Sequence, residues 1–216
     1  MEAEQLRRDI VSACRRLAQS TLGSGTSGNI SARDLETGLV GLSPSAMDYA
    51  AITPEDVVLM TLQGDTVDAR RRPSSEWLMH LHCYRCRPDI QALVHTHSPA
   101  ATAVAVLGRP LPAVHYMLAL SGNHEIPLAP YHRFGSEALA QAAVEAMGEG
   151  RACLLANHGV LAGGDSIRAA WTLAEQIEYC ADVYLRASAA GEPVLLSKAE
   201  MREVEAHFGS YTPQGD

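Results

Sequence analysis

The positions of apolar residues divide the chain into helices and short strands. Apolar side chains recur every three or four positions over residues 4–19 and again over 166–191, and this spacing predicts two amphipathic helices. The second is opened by Ser166 and closed by Gly191. Three shorter helices are predicted at 74–87, beginning at Ser74 or Ser75 and ending before Pro88, at 101–108 and at 135–147.

Apolar runs of strand length separate these helices. The run over 90–98 ends in polar residues, and 152–164 has a polar tip between two apolar runs. Residues 29–42 predict a hairpin around an acidic turn, and another strand is predicted after a short capped turn at 53–56. Because helices and strands alternate without a linker or repeat, residues 1–216 predict a single α/β domain whose central sheet is partly antiparallel and covered by helices.

The composition fits such a domain and narrows the classes of partner. Hydrophobic residues make up 47% of the 216, which is enough for a sizeable core. The formal net charge of −8 disfavours a nucleic-acid partner, because nucleic-acid binding calls for a basic surface. No run approaches the roughly 20 apolar residues of a membrane span. The N-terminus lacks the apolar segment of a signal peptide and the five cysteines indicate reduced thiols, so we expect a cytoplasmic protein.

Three histidines next to apolar runs form a candidate metal site. His95 and His97 lie two positions apart at the end of a predicted strand, so their side chains project from the same face. His158 follows a second apolar run and could supply a third ligand. Three protein ligands with an open position are typical of a catalytic zinc site. An H-x-H pair also arises by chance, and the spacing alone does not bring His158 to the pair.

Glu76 is the candidate acid/base. It lies at the predicted start of a helix, where acidic residues are common simply because they interact favourably with the helix dipole. Its catalytic interpretation therefore requires the metal nearby, where a carboxylate can exchange a proton with a bound substrate. Two histidines of the same helix, His80 and His82, are expected at the surface or behind the residues of the site.

Three segments rich in hydroxyl groups or glycine are candidates to bind a phosphate group. They are residues 26–29, 43–46 and 74–75. Each offers backbone N–H groups and hydroxyls, and the third lies at a helix start. Each segment taken alone is also explained as a turn or a cap. The chain has no Walker or Rossmann sequence, so nucleotide binding has no support.

Six segments, in order, resemble the class II aldolase/adducin family, and within it the L-fuculose-phosphate aldolase branch. They span nearly the whole chain and read GTSGNIS (25–31), PSSEW (73–77), VHTHS (94–98), PAVHYM (112–117), APYHRFG (129–135) and LLANHGV (154–160). The resemblance implies a three-layer α/β/α sandwich with a mixed, largely antiparallel sheet. It also implies a homotetramer with active sites at the subunit interfaces.

The resemblance further assigns roles to individual residues. It places zinc, or another divalent metal, on His95, His97 and His158, and the acid/base on Glu76. Tyr116 matches a tyrosine that reaches the active site of a neighbouring subunit. Positions of the phosphate site are matched by Thr26, Gly28, Asn29, Ser45, Ala46, Ser74 and Ser75, and the aldehyde end of the site by Phe134 and Tyr211.

The activity implied by the resemblance is reversible cleavage of a ketose 1-phosphate, similar to L-fuculose 1-phosphate, to dihydroxyacetone phosphate and an aldehyde. The metal would stabilise the enediolate that forms on cleavage. One departure concerns residues 43–46, which read Ser-Pro-Ser-Ala where relatives commonly have Thr-Pro-Thr-Gly. Ala46 has a narrower range of φ than glycine, so the identity of the substrate stays open.

The same resemblance leaves other functions open. An epimerase, a decarboxylase or a dehydratase of a sugar phosphate shares the scaffold. Epimerases typically carry aspartate at the position of Glu76, and decarboxylases usually lack the HYM segment at 115–117. A non-catalytic interaction module like the adducin head domain characteristically lacks the metal histidines, all three of which this chain retains.

Overall fold

The computed structural model describes residues 3–23 and 26–210, and an eight-stranded sheet forms its centre. The strands lie side by side in the order β4-β3-β2-β1-β5-β8-β7-β6, and each neighbouring pair is antiparallel except β6 and β7, which are parallel. The strands are β1 (Asn29–Arg33), β2 (Val40–Leu42), β3 (Val58–Met60), β4 (Thr66–Asp68), β5 (Ala92–Thr96), β6 (Leu128–Ala129), β7 (Ala152–Leu155) and β8 (Gly159–Gly164). The sheet is therefore mixed and largely antiparallel, as the family resemblance implies.

Helices cover both faces of this sheet. They are α1 (Ala3–Gln19), α2 (Trp77–Cys86), α3 (Pro99–Val106), α4 (Glu137–Met147), α5 (Ile167–Ala190) and α6 (Lys198–Ser210). Alternation along the strands separates two cores, because successive side chains project to opposite faces. Val94 and Val160 pack in the core that contains α1, α3 and α5, whereas Leu93 and Leu161 pack with α2 and α4. The architecture is the predicted three-layer α/β/α sandwich.

The structure corrects several predicted helix boundaries, since α3 begins at Pro99 rather than at residue 101 and α4 begins at Glu137 rather than at residue 135. The correction that bears on the site is the start of α2. The helix begins at Trp77 rather than at Ser74 or Ser75. The residues before it form a turn, in which the Trp77 N–H donates to the Ser74 carbonyl at 3.1 Å and the Glu76 N–H donates to Ser74 Oγ at 3.3 Å. Glu76 consequently precedes the helix as its cap residue and does not lie in its first turn.

Two neighbouring strands bring distant polar residues together. Asn29 on β1 lies directly opposite His95 on β5. Both side chains project to the face covered by α2, because their strand neighbours Ile30 and Val94 belong to the opposite core. The turn between β7 and β8 carries His158 to the same end of the sheet, since β8 pairs with β5.

Among the residues that the structure describes, no helix is both long enough and apolar enough to cross a membrane. All five cysteines are free thiols.

Candidate metal centre and active-site cleft

Three imidazole rings converge at the end of the sheet. The Nε2 atoms of His95 and His97 lie 3.0 Å apart. The rings of His95, His97 and His158 have centroids 4.8–4.9 Å from one another. The structure thus brings His158 to the H-x-H pair, which the spacing along the sequence could not establish.

Glu76 completes this cluster from the start of α2. Its Oε2 lies 3.1 Å from His95 Nε2, and its Oε1 lies 3.3 Å from His158 Nε2. One potential ligand atom from each of the four residues lies within 4.8 Å of the others. Glu76 and His95 are both buried. The carboxylate therefore stands among the imidazoles as a fourth donor.

The arrangement of donors fits a divalent cation. His95 Nδ1 donates to the Val160 carbonyl at 2.9 Å, which fixes the proton on Nδ1 and leaves the lone pair of Nε2 facing the cluster. Tetrahedral ligands about 2.0–2.1 Å from zinc are separated by roughly 3.3 Å, close to the spacings measured here. In the described residues, buried Glu76 Oε1 receives no hydrogen bond. A cation between these atoms would satisfy all of them.

The ionisation states favour the same interpretation. Burial raises the pKa of Glu76, but His95, His158 and the Asn29 amide outweigh it, so the pKa lies well below its usual range. Burial, together with repulsion from His95, lowers the pKa of His97 and of His158 to about 4. The ionised Glu76 carboxylate and the neutral His97 and His158 rings are in the forms that bind metal. Burial lowers the pKa of His95, but the Glu76 carboxylate outweighs it and raises that pKa above its ordinary value, so a cation competes with a proton at His95.

A cleft of about 370 Å³ opens over this cluster. All three predicted hydroxyl-rich segments line it. The segments at 43–46 and 74–75 are joined by a backbone hydrogen bond from Ser74 N–H to the Ser43 carbonyl at 3.0 Å, and Ser45 N–H donates to the nearby Arg72 carbonyl at 3.0 Å. The predicted site residues that line the cleft are Thr26, Gly28, Asn29, Ser45, Ala46, Ser74, Ser75, Glu76, His97, Phe134 and His158. His95 lies buried beneath them.

Ala46 adopts a backbone conformation that usually favours glycine. Its φ is 52°, in the left-handed region. This conformation costs an alanine about 1 kcal/mol. Ala46 is one of the residues that line the cleft.

The structure adds residues to the cleft that the sequence analysis did not select. Tyr49 lines it and donates from its hydroxyl to Ser43 Oγ at 2.9 Å, which supports the 43–46 segment from below. Asn157 also lines the cleft, with a φ of 54° that sharpens the turn before His158. Tyr49 begins a short 3-10 helix, and no motif in the sequence singles it out. Asn157, in contrast, lies inside a segment that carried the family resemblance.

Two predicted site residues lie elsewhere. Tyr116 is not one of the described residues that line this cleft. It begins a short 3-10 helix, its side chain is half-exposed, and its ring stacks on His115 with centroids 4.7 Å apart. Phe208 of α6 lies 6.3 Å from it by the same measure. Tyr211 falls outside the described residues.

Comparison with known proteins identifies the family. The model of the class II aldolase and adducin N-terminal domain matches residues 8–185. The chain belongs to the class II aldolase/adducin family. A 5-deoxy-D-ribulose 1-phosphate aldolase of Bacillus thuringiensis serovar kurstaki is 47% identical over 99% of this chain and 100% of its own. An L-fuculose phosphate aldolase of Escherichia coli strain K12 is 36% identical over 98% and 97%.

The fold of this chain is also that of solved class II aldolase structures. An L-fuculose 1-phosphate aldolase superimposes with a TM-score of 0.92, 40% sequence identity, and coverage of 95% of this chain and 96% of that one. The match extends over both the sheet and the helical layers, because nearly all of each chain is included. Together with the histidine and glutamate cluster, these relatives show that the chain is an enzyme of the class II aldolase type.

Proposed function

We propose that this class II aldolase cleaves a ketose 1-phosphate to dihydroxyacetone phosphate and a short aldehyde, with Glu76 as its acid/base. One observation carries the proposal. The ionised, buried Glu76 carboxylate lies 3.1 Å from His95 Nε2 and 3.3 Å from His158 Nε2, the spacing expected between two ligands of one cation. It lies on the floor of a cleft lined by three hydroxyl-rich segments. The absence of a suitable lysine supports it, because the only lysine of the chain, Lys198, is exposed at the start of α6 and cannot form a Schiff base in this cleft.

The proposed substrate is 5-deoxyribulose 1-phosphate. Relatives with this substrate in their names are 47% and 40% identical to the chain, compared with 36% for the L-fuculose phosphate aldolases. Retro-aldol cleavage between C3 and C4 of this five-carbon sugar gives dihydroxyacetone phosphate from C1–C3 and a two-carbon aldehyde, acetaldehyde. The six-carbon L-fuculose 1-phosphate would give a three-carbon aldehyde and is the second candidate.

The phosphate group is proposed to bind without a cationic side chain. The described residues that line the cleft include no lysine or arginine. Hydroxyls and backbone N–H groups of the segments at 26–29, 45–46 and 74–75 would hold the anion, as they do in many phosphate sites. Tyr131 and Phe134 are exposed at the opening and are proposed to contact the apolar end of the departing aldehyde.

Proton transfers are assigned to two side chains. A divalent cation on the three histidines would supply Lewis-acid stabilisation of the charge that develops on the substrate oxygens, a contribution of several kcal/mol. Glu76 delivers a proton to C3 of the phosphorylated fragment after cleavage, and it removes the same proton in the condensation direction. Tyr116 exchanges the proton of the C4 hydroxyl, whose oxygen becomes the aldehyde oxygen.

The position of Tyr116 supports a homotetramer in which it serves a neighbouring site. Its side chain is half-exposed, and it lies outside the cleft that holds Glu76 of its own chain. A second copy would therefore have to present its own Tyr116 at this cleft. Assembly of a ring from identical heterologous contacts would place one such tyrosine at each site.

A panel of substrates tests the proposed reaction. The purified enzyme is incubated with 5-deoxyribulose 1-phosphate, L-fuculose 1-phosphate, a pentulose 5-phosphate and a phosphorylated oxo-sugar acid. Products are scored as dihydroxyacetone phosphate, carbon dioxide, epimer or dehydrated sugar. We expect dihydroxyacetone phosphate, released fastest from 5-deoxyribulose 1-phosphate. Carbon dioxide, an epimer or a dehydrated sugar without dihydroxyacetone phosphate would replace the proposed reaction with one of the alternatives.

A further inference from the structure

A chain of buried polar groups runs from Glu76 into the layer beneath α2. Asn29 Nδ2 donates to Glu76 Oε2 at 3.0 Å, and Asn29 Oδ1 lies 2.5 Å from His80 Nε2. On the other side of the ring, His80 Nδ1 lies 2.6 Å from Ser31 Oγ, which in turn lies 2.7 Å from the Tyr84 hydroxyl. Ser31, His80 and Tyr84 are fully buried, so water does not share these contacts.

The ionised carboxylate fixes the direction of every hydrogen bond in this chain. A carboxylate only accepts, so the Asn29 amide must present its NH₂ to Glu76 and its carbonyl to His80. His80 Nε2 must then carry the proton and donate to Asn29. His80 Nδ1 accepts from Ser31, and Ser31 Oγ accepts from the Tyr84 hydroxyl. The reversed order would place the Asn29 carbonyl oxygen against the Glu76 carboxylate.

His80 has the properties that such a link requires. Burial lowers its pKa to about 3, so the ring is neutral and has one donor and one acceptor nitrogen. It does not line the cleft and is not one of the four residues that could hold the metal. An apolar residue would fill the same space in α2, but it would leave Asn29 Oδ1 without a donor in a buried site.

We propose that His80 is a positioning residue, which holds the Asn29 amide in one of its two orientations and through it holds the Glu76 carboxylate. The inference rests on the acid/base role proposed for Glu76. Without the His80 donor, Asn29 Oδ1 would have no partner in its buried place, so the Asn29 side chain would shift towards another donor and move the hydrogen bond that it donates to Glu76. Small displacements of a catalytic group can reduce turnover by about a hundredfold.

Two substitutions at His80 and one matched control separate positioning from packing. His80→Leu removes both hydrogen bonds and replaces the imidazole with an apolar side chain of similar size. His80→Gln restores the donor, because its Nε2 is the same number of bonds from Cα as the imidazole Nε2. His82→Leu is the control, since it makes the same change on the same helix at a partly exposed position outside the polar chain.

We expect His80→Leu to lower kcat for ketose 1-phosphate cleavage by about 10–100-fold, with KM and metal content within about twofold of wild type. His80→Gln should recover most of the loss, and His82→Leu should equal wild type. The double variant His80→Leu with Asn29→Ala should be no worse than Asn29→Ala alone, because both remove the same link. Wild-type kcat in His80→Leu, or additive losses in the double variant, would overturn the proposal.

Crystal structures of the wild-type enzyme and both His80 variants give a test that does not depend on the substrate. We expect Asn29 and Glu76 to be displaced or rotated in His80→Leu and to return in His80→Gln. If His80→Leu does not fold, His80→Gln must show Asn29 and Glu76 in place, and His80→Ala takes the place of the leucine variant. Undisturbed Asn29 and Glu76 in the variant that lacks the donor would overturn the proposal, whereas a wild-type enzyme that releases no dihydroxyacetone phosphate would contradict the proposed function instead.

Discussion

Oε2 of Glu76 lies 3.1 Å from Nε2 of His95, a separation expected for two ligands of one cation. An acid/base that faced an open position on the metal would lie farther from the histidines. Glu76 instead lies among them as a fourth potential ligand. With a cation held by His95, His97 and His158, the substrate oxygens would lie where the Glu76 carboxylate lies here, and Glu76 would then be free to exchange a proton with C3. Binding of the substrate and readiness of the base are coupled in this arrangement.

Substitution Glu76→Gln tests this coupling. The amide keeps the shape of the side chain but cannot accept a proton, so kcat should fall by about 10²–10⁴-fold while the fold is retained. Glu137→Gln is the matched control, because Glu137 also lies at a helix start but is exposed. Metal content, thermal unfolding and cleavage rate are measured for both. Full activity in Glu76→Gln would remove Glu76 from the mechanism.

The assignment of Tyr116 to a neighbouring site predicts complementation between inactive subunits. Tyr116→Phe and Glu76→Gln should each be nearly inactive alone. In hybrids refolded from equal amounts, about a quarter of the sites combine an intact Glu76 with an intact Tyr116 from a neighbour, so about a quarter of the activity should return. Hybrids without recovered activity would place Tyr116 in the site of its own chain, and an active Tyr116→Phe variant would remove Tyr116 from the reaction.

Gly159 is predicted to be required for the geometry of the histidine cluster. A Cβ at this position would lie 2.2 Å from the Thr96 carbonyl oxygen and 3.2 Å from His97 Cδ2. Gly159→Ala should therefore lower the free energy of unfolding by about 1–3 kcal/mol and weaken metal binding. Gly191→Ala is the control, because no atom lies within 4 Å of its added Cβ and its backbone is extended. Equal behaviour of the two variants would contradict the packing described for β8.

The hydrophobic pattern was sufficient for most of the fold. Helical spacing in 4–19 and 166–191 corresponds to α1 and α5, and the hairpins at 29–42 and 152–164 are β1–β2 and β7–β8. The short strand β6 has two residues, too few for any periodicity to be detected, and the charged segment of α6 has a weak apolar stripe. Neither was predicted.

The histidine cluster was only partly accessible to sequence reasoning. His95 and His97 could be paired from their spacing, because residues two apart on a strand share a face. His158 could not, since its approach depends on the register in which Thr96 lies opposite Val160. Helical position also did not distinguish buried His80 from partly exposed His82, although the packing of β1 against α2 does.

Asp56 is predicted to stabilise the segment that leads to the cleft in a pH-dependent manner. Its carboxylate accepts hydrogen bonds from Thr53 N–H at 3.0 Å and from the Arg71 side chain at 2.8 Å. Arg71 lies four residues before Ser75, which lines the cleft. Burial raises the pKa of Asp56, but the Arg71 and Thr53 hydrogen bonds outweigh it, and the pKa lies below its ordinary value of 3.8. Its stabilising contribution is therefore complete above pH 3.8 and is lost as the pH falls further.

Asp56→Asn should lower the free energy of unfolding by about 1 kcal/mol at pH 7, and the difference from wild type should shrink below about pH 4. Asp182→Asn is the control, because Asp182 forms an exposed ion pair with Arg186, which contributes little. Urea titrations at several pH values measure both. A difference that stays constant down to about pH 2 would contradict the assigned ionisation.

The convergence of His95, His97 and His158 on one catalytic cation is tested most directly by cleavage of 5-deoxyribulose 1-phosphate before and after chelation. The enzyme is treated with a chelator, its metal content is measured, and zinc and other divalent ions are returned one at a time to the wild type and to His95→Ala. We predict that wild-type activity disappears with the metal and returns with it, whereas His95→Ala recovers neither. Full activity in metal-free wild-type enzyme would contradict the account.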